Sequence, residues 1–461
     1  MPISRVPPTA PTLAPGPSAH RKRRSPTLPH AASALLDWRP LPGDMRAAWV
    51  SALIMLPQAI AFAVLAGLPP EMGIYSSIVP VIVASLLGAS PRLLSGPNTA
   101  VAMMIGPALA PLAVPGSNEY IAYAAVLTLL VGVAQFVGAL GGIGRILEQL
   151  PRFTSTGLSL GIGLVMLTCQ IAPALGLMSS PNLPSWLAPW VFAERWHEVN
   201  PWAVLVTGVT IATGQLFAWL RKPWMPGLIA ALLAGAASGW VLDLCVGMSA
   251  VHLDRLGHLQ LEFPAPVLPI AHIDDFYAWK QLAASAIGIA VVASLQSVLI
   301  LRSLAVDAGH RVCRRELLAQ AAANLCASVF SGFACSGSFN RTASHVDAGA
   351  VTRAAVIMSS LILLGIGLLA APVYAYVPRA AIAGALALVG WSMVRSGWKS
   401  ACADKGFARA ATLALGVSVP FIGMQTALML ALVLAVLQLL LHPPRQSSDT
   451  TDHEKRVQQR V

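Results

Sequence analysis

The sequence predicts an all-α polytopic membrane protein of roughly fourteen membrane segments, and three observations carry that reading. Hydrophobic residues make up 56% of the 461 and charged residues only 11%, with a mean hydropathy of +0.69. A soluble domain carries about 25% charged residues. Apolar runs near the ~20 residues that cross a bilayer recur along the chain. Among them are Ala47–Leu65, Tyr120–Leu140, Ser155–Ile171, Trp202–Leu220, Leu282–Leu301 and Phe421–Leu441.

The third observation is the distribution of charge between the runs. If the N-terminal tail lies inside, alternate loops hold Arg92, then Arg145 and Arg152, then Arg221 and Lys222. They continue with Arg311, Arg314 and Arg315, with Arg353, and with Arg395, Lys399, Lys405 and Arg409. The opposite loops hold Glu71, Glu119, Glu194, Glu198, Asp254, Glu262, Asp274 and Asp275 with few basic residues. Positive charge collects on the cytoplasmic side of membrane proteins, so both termini are expected in the cytoplasm, in a bacterial inner or plasma membrane.

Residues 1–36 read as a disordered cytoplasmic tail, rich in Pro, Ser and Arg, with RKRR at 21–24. No apolar stretch followed by a cleavage site is present there, so a secretory signal is not expected. The prolines also argue against the amphipathic helix of a transit peptide. Residues 37–441 read as the membrane domain, and 442–461 as a short polar tail with no soluble domain expected after it. The net charge of +11 sits in short loops, not in a stripe with interleaved aromatics, which excludes a nucleic-acid partner and leaves the lipid bilayer as the surroundings. Six scattered cysteines show no CxxC or CxxH spacing, so neither a metal nor a disulfide framework is expected. No cofactor and no catalytic residues are expected either, since no serine–histidine–acid set, carboxylate pair or P-loop is present.

Two segments are too short to cross alone, and they begin at SGPNTA (95–100) and SGSFNRTA (336–343). Interrupted segments in corresponding positions of two halves point to a transporter site. In the first, Ser95 can cap and Pro97 can take the first helical position. A helix starting at bilayer depth presents its positive dipole end and free N–H groups to an anion, and the same stretch also fits an ordinary helix start at the interface. In the second, Ser336 or Ser338 can cap, Gly337 permits close approach, and Arg341 adds a fixed charge. A charge at bilayer depth costs about 2.5–3.5 kcal/mol. Acids are nearly absent from the spans, so Arg341 is expected to serve an anion and not a buried carboxylate. Earlier, Pro57 interrupts the backbone hydrogen bonding of the first span, with Gln58 beside it and Phe62 one turn on. Gln58 fits either an anion-binding amide or the satisfier of a freed carbonyl.

Together these stretches resemble the sulfate permease (SulP) family of anion transporters, which includes the animal anion exchangers and prestin. PQAIAFAVLAGLPP carries the first signature, and RRELLAQAAANLCASVFSGFACSGSFNRTASHVDAGAVTR (314–353) is similar to the second block in order and spacing. The resemblance runs from about Leu41 to Leu441. It implies two inverted repeats of seven segments, a core and a gate domain, and an anion held between the starts of the third and tenth segments. By motif position it implies Gln58 and Phe62 from the first segment, Asn98 and Thr99 from the third, and Ser338, Phe339, Asn340 and Arg341 from the tenth.

Two departures from the family pattern stand out. Many members carry an acid in the eighth segment for cation coupling, and Gln296 holds that place here, in SLQSVLI. An amide neither binds a proton at physiological pH nor offers charge to sodium. Most members also carry a C-terminal STAS domain, so that role is expected to fall to a separate STAS protein or to be absent. Dimers are common in the family, which makes a homodimer an expected partner. The function implied is secondary transport of an inorganic anion by elevator-type alternating access, sulfate first, with bicarbonate or chloride transport or an uncoupled anion channel as alternatives. A nucleobase permease of similar architecture would place acids where Gln296 and Asn340 stand.

Overall fold

The structure, a computed structural model, describes residues 41–177, 187–220, 227–257, 266, 276–304, 310–374 and 376–441. The two tails and the loops bearing Arg221, Lys222, Glu262, Asp274 and Asp275 lie outside the described residues. The first half of the chain begins with α1 (Pro42–Leu65), α2 (Pro70–Ser76) and α3 (Val79–Leu87). A two-residue strand β1 (Ser95–Gly96) then leads into α4 (Thr99–Leu109). Next come α5 (Asn118–Leu140), α6 (Ile143–Gln149), α7 (Arg152–Cys169), α8 (Ile171–Ala174) and α9 (Ala188–Glu194). α10 (Pro201–Leu220), α11 (Gly227–Val246) and the short α12 (Met248–Val251) close the half.

The second half holds α13 (Phe276–Ser303) and α14 (His310–Val329), then strand β2 (Ser336–Gly337) leading into α15 (Phe339–Asp347). It ends with α16 (Arg353–Tyr374), α17 (Arg379–Ala403) and α18 (Phe407–Leu441), the last broken at Gly423, whose φ of 77° no helix accommodates. Eight segments among the described residues are long and apolar enough to cross a membrane. The protein is therefore an all-α polytopic membrane protein.

The packing of the halves shows a pseudo-twofold relation. α1 packs on α16 as α13 packs on α5, and α3 packs on α16 as α14 packs on α5. α13 meets α4 as α1 meets α15, and α10 meets α17 as α18 meets α7. Each pairing has a counterpart with the halves exchanged, as inverted repeats require. Two groups emerge: a core of α1–α5 with α13–α16, and a second group of α7, α10, α11, α17 and α18. α13 lies deep in the first, with 72% of its apolar window enclosed, while α11 on the other flank has 22% enclosed and turns outward.

Local chemistry explains several elements. Ser117 caps α5 by accepting from the Tyr120 N–H at 3.1 Å, the arrangement that serine favours at a helix start. α1 runs through Pro57 without a break. Gln58 makes no hydrogen bond among the described residues, so its amide does not satisfy the carbonyl that the proline frees. α2 crosses α1 so closely that a Cβ on Gly73 would lie 2.0 Å from the Ala59 carbonyl oxygen. Gly73→Ala is expected to destabilise the protein by about 1–3 kcal/mol through overpacking. Thermal unfolding of the detergent-solubilised protein measures this, and an unchanged midpoint would mean that the α1–α2 contact yields easily.

Two expectations about charge need correction. Buried acids do exist: Asp44 and Glu316 are both enclosed. Asp44, at the start of α1, accepts from Leu41 N, Val351 N, Thr352 N and the Thr352 hydroxyl, tying α1 to the turn before α16. Glu316 accepts from Ala89 N at 2.8 Å and from Gln320 Nε2 at 3.0 Å. Arg353, expected as a loop charge, is buried instead. Its guanidinium donates to the carbonyls of Ser85, Leu86 and Gly88. These are end-of-helix carbonyls of α3 with no intrahelical donor, so a cation is well placed there.

Candidate functional site

The two Ser-Gly pairs meet. β1 and β2 form an antiparallel ribbon, with Ser95 opposite Gly337 and Gly96 opposite Ser336. Leu94 extends the seam: its N–H donates to Thr342 Oγ1 at 3.1 Å, and its carbonyl accepts from Ser338 N at 3.2 Å. α4 and α15 start from this ribbon, so their positive ends face one junction. Backbone groups that would be orphaned in a broken membrane helix are satisfied here by pairing between the halves.

Asn98, not Ser95, caps α4. Its Oδ1 accepts from Val101 N at 3.1 Å, and Pro97 lies outside the helix. Ser95 is drawn into the ribbon, where its hydroxyl accepts from Gln320 Nε2 at 2.6 Å. The Asn98 amide nitrogen donates to Gln296 Oε1, to Ser336 Oγ and, at 3.0 Å, to the Gly337 carbonyl. Gln296 also accepts from the Ser336 hydroxyl at 2.9 Å. The glutamine in the eighth segment is therefore a fastener, its oxygen joining α13 to the cap of α4 and to β2.

The start of α15 differs. Ser338 occupies the cap position but its hydroxyl makes no capping bond, and Ser336 spends its hydroxyl on Gln296. Among the described residues no side chain caps the first turn of α15. Arg341 lies in that turn, 2% exposed. Its Nη2 donates to the Pro97 carbonyl across the junction, while Nε and Nη1 are buried with no hydrogen-bond partner. No carboxylate among the described residues forms an ion pair with it. Gly96 makes room for the guanidinium: a Cβ there would sit 3.0 Å from Nη1, and its φ of +133° disfavours any other residue. A buried guanidinium with two idle donors at an uncapped helix start is suited to an oxyanion.

The other sequence-derived residues fall around this junction to different degrees. Thr99 opens α4 and is buried beside Asn98. Phe339 and Asn340 are exposed on the first turn of α15. Gln58 and Phe62 are buried on α1, which packs on both α4 and α15. No hydrogen bond joins either of them to the ribbon among the described residues. Sequence reasoning missed a polar face on α14, where Glu316, Gln320 and Asn324 recur every four residues. Asn324 holds the approach to β2, accepting from Cys335 N at 2.7 Å and donating to Cys335 O and Gln135 Oε1. That four-residue spacing along one face of the helix was the available signal.

A sequence model described as the sulfate permease family matches residues 41–405. A probable sulfate transporter of Mycobacterium tuberculosis is 32% identical over 423 residues, covering 87% of this chain and 71% of that protein. The bicarbonate transporter BicA of Picosynechococcus is 25% identical over 380 residues, 78% of this chain and 64% of that one. Among solved structures, the transmembrane domain of a cyanobacterial BicA superposes with a TM-score of 0.72 at 19% identity, over 87% of this chain and 98% of that chain. The murine solute carrier 26 family member A9 anion transporter, in its inward-facing state, gives 0.76 at 18%, over 92% and 74%.

Proposed function

Because this chain belongs to the sulfate permease family, we propose that it is a secondary transporter that carries sulfate across a bacterial plasma membrane, with both termini in the cytoplasm. The observation that carries this reading is Arg341, buried at the uncapped start of α15 with two unused donors. A tetrahedral oxyanion placed there would accept from Arg341 and from the free N–H groups of the first turn, close to the positive end of α4. Asn98 and Thr99 would shape the α4 side, Ser338, Phe339 and Asn340 the α15 side, and Gln58 and Phe62 the α1 wall. The matching probable sulfate transporters support sulfate over bicarbonate or chloride.

Movement follows from how the ribbon is tied. Asn98, Gln296 and Ser336 bind α4, α13 and β2 into one body, and Arg341 adds a tether from α15 to Pro97. The anion would therefore ride with the core helices as they slide against α7, α10, α11, α17 and α18, an elevator step. A homodimer would anchor the second group in the membrane, and a separate STAS chain would supply regulation.

Purified protein in proteoliposomes, offered labelled sulfate, bicarbonate and chloride, tests the reading. With an imposed ion gradient, sulfate is expected to accumulate above its external concentration, whereas flux that stops at equilibrium under the same gradient would indicate a channel. Gln296→Glu sharpens the test. A carboxylate accepts the same two hydrogen bonds that Gln296 Oε1 accepts, so the fold should survive, and the added charge is expected to give uptake a sodium-dependent component. Variant uptake that tracks the wild type at every sodium concentration would argue against position 296 as a coupling site.

A further inference from the structure

Three arginines crowd the first two turns of α14, at the end of the core expected to face the cytoplasm. Arg311, Arg314 and Arg315 stand at i, i+3 and i+4, so their side chains share one face of the helix. All three are exposed. With Leu87, Leu318 and Ala319 they line a cavity of about 530 Å³ between that face and the end of α3. Like charges at this spacing repel one another, and cations at a helix start also oppose its dipole. Among the described residues no carboxylate forms an ion pair with any of the three. Glu316, next in the chain, is buried and engaged by Ala89 and Gln320. Asp307, in the preceding segment, lies outside the described residues and could offset one of the three charges.

The backbone does not need these arginines either. The last carbonyls of α3 are already supplied, those of Ser85, Leu86 and Gly88 by Arg353. Arg315 Nε donates to the remaining one, on Leu87, at 3.0 Å. That bond fixes the Arg315 guanidinium at the rim of the cavity and leaves its Nη groups to other acceptors. Arg311 and Arg314 make no hydrogen bond among the described residues. Three guanidiniums therefore converge on one cavity with donors to spare, an arrangement suited to phosphate oxygens.

The other half of the lining is apolar, and Leu87 is 49% exposed. The candidate span Pro70–Leu87 ends at this residue, so the cavity lies where hydrocarbon gives way to headgroups. We propose that it binds an anionic phospholipid of the cytoplasmic leaflet, with the arginines on the headgroup phosphate and an acyl chain against Leu87 and Leu318. Basic pockets at the cytoplasmic ends of membrane helices suit such headgroups. A free inorganic anion would answer the charge and leave the apolar half of the lining unused. The inference takes its leaflet from the topology proposed above, and the site itself requires no transport.

The test is native mass spectrometry and thermal unfolding of the full chain, delipidated in neutral detergent and titrated with phosphatidylglycerol or phosphatidylcholine. Phosphatidylglycerol is expected to bind and to raise the unfolding midpoint, and phosphatidylcholine to do neither. Arg311→Gln combined with Arg314→Gln is expected to weaken phosphatidylglycerol binding about twenty-five-fold, about fivefold for each arginine. Should that double variant fail to fold, each single variant is read against the fivefold expectation. Arg395→Gln combined with Lys399→Gln removes the same charge from exposed positions on α17, and it is expected to leave binding unchanged. An equal loss in both double variants overturns the proposal, since any charge on that side would then serve. Equal binding of phosphatidylcholine overturns it too. Inorganic phosphate or sulfate that stabilises the wild type as well as the lipid does, and fails on the Arg311 and Arg314 variant, would make the cavity a soluble-anion site and overturn the lipid assignment. Binding in detergent is read without transport, so a wild type that takes up no sulfate overturns the transport reading and leaves this one standing.

Discussion

Arg341→Ala is expected to abolish saturable sulfate uptake while the protein still expresses and elutes as a folded species. Hydrogen bonds to charged groups contribute about 1.5–3 kcal/mol each. Two such donors, Nε and Nη1, are idle and available to an anion. Losing both would weaken binding by more than about a hundredfold, since each 1.4 kcal/mol is a factor of ten. Folding should not suffer in proportion. The alanine removes a desolvated cation that has no carboxylate partner, and an unpaired buried charge opposes stability. Only the bond to the Pro97 carbonyl is lost from the fold. Arg341→Lys should fall between the two, because an ammonium keeps the charge without the planar fork. Sulfate binding measured by calorimetry or thermal stabilisation checks the series. An alanine variant with wild-type affinity would remove Arg341 from the site.

Asn98→Ala should cost both stability and transport. Asn98 caps α4 and supplies the donor for Gln296, Ser336 and Gly337. Loss of an asparagine cap alone costs about 0.5–2 kcal/mol, and the oxygens left without a donor add about 1–3 kcal/mol where water cannot reach them. A melting midpoint several degrees lower and uptake near background are expected. Asn98→Asp separates the roles. It keeps the acceptor for Val101 N, but it sets a negative charge next to Pro97, whose carbonyl holds Arg341. That charge competes with the anion for the guanidinium, so the aspartate variant should transport as poorly as the alanine, and any stability it loses reports the missing donor and not the cap. If Asn98→Ala melts and transports like the wild type, the ribbon is not fastened through this side chain.

Both variants bear on what a single chain could reveal before its fold was known. The membrane class followed from apolar runs, which respond to the bilayer and to nothing more distant. The two half-helix starts were visible because serine, glycine and asparagine at bilayer depth have no reason to be there without a break. What joins them was not visible, since β1 and β2 are two residues each and far apart in sequence. That pairing also decided which residue caps α4. Local preference ranks serine and asparagine alike, and the ribbon claimed Ser95, leaving the role to Asn98.

Charges were misread for a related reason. Arg353 borders an apolar run, and such residues usually sit in the headgroup region. Its actual partners, the carbonyls at the end of α3, belong to the other half of the chain. Glu316 was hidden by its company, since three arginines precede it at 311, 314 and 315 and make the stretch look like a loop. The spacing of Glu316, Gln320 and Asn324 held the correct answer. Gln296 was read as an absence of charge, whereas its oxygen accepts two hydrogen bonds that a carboxylate could equally accept.

The ribbon also sets a timetable for biogenesis. Asn98 and the Gly337 carbonyl are 239 residues apart. At the usual 5–20 residues per second, a ribosome that has delivered α4 needs about 12–48 s more before its partner strand exists. Through that interval the edge of β1 and the start of α4 must wait in or beside the membrane with their polar groups met by water, lipid headgroups or the insertion machinery. The anion pocket is therefore a late product of synthesis. Truncations that end before Phe339 should be recognised as incomplete by membrane quality control, even though every helix of their first half is intact.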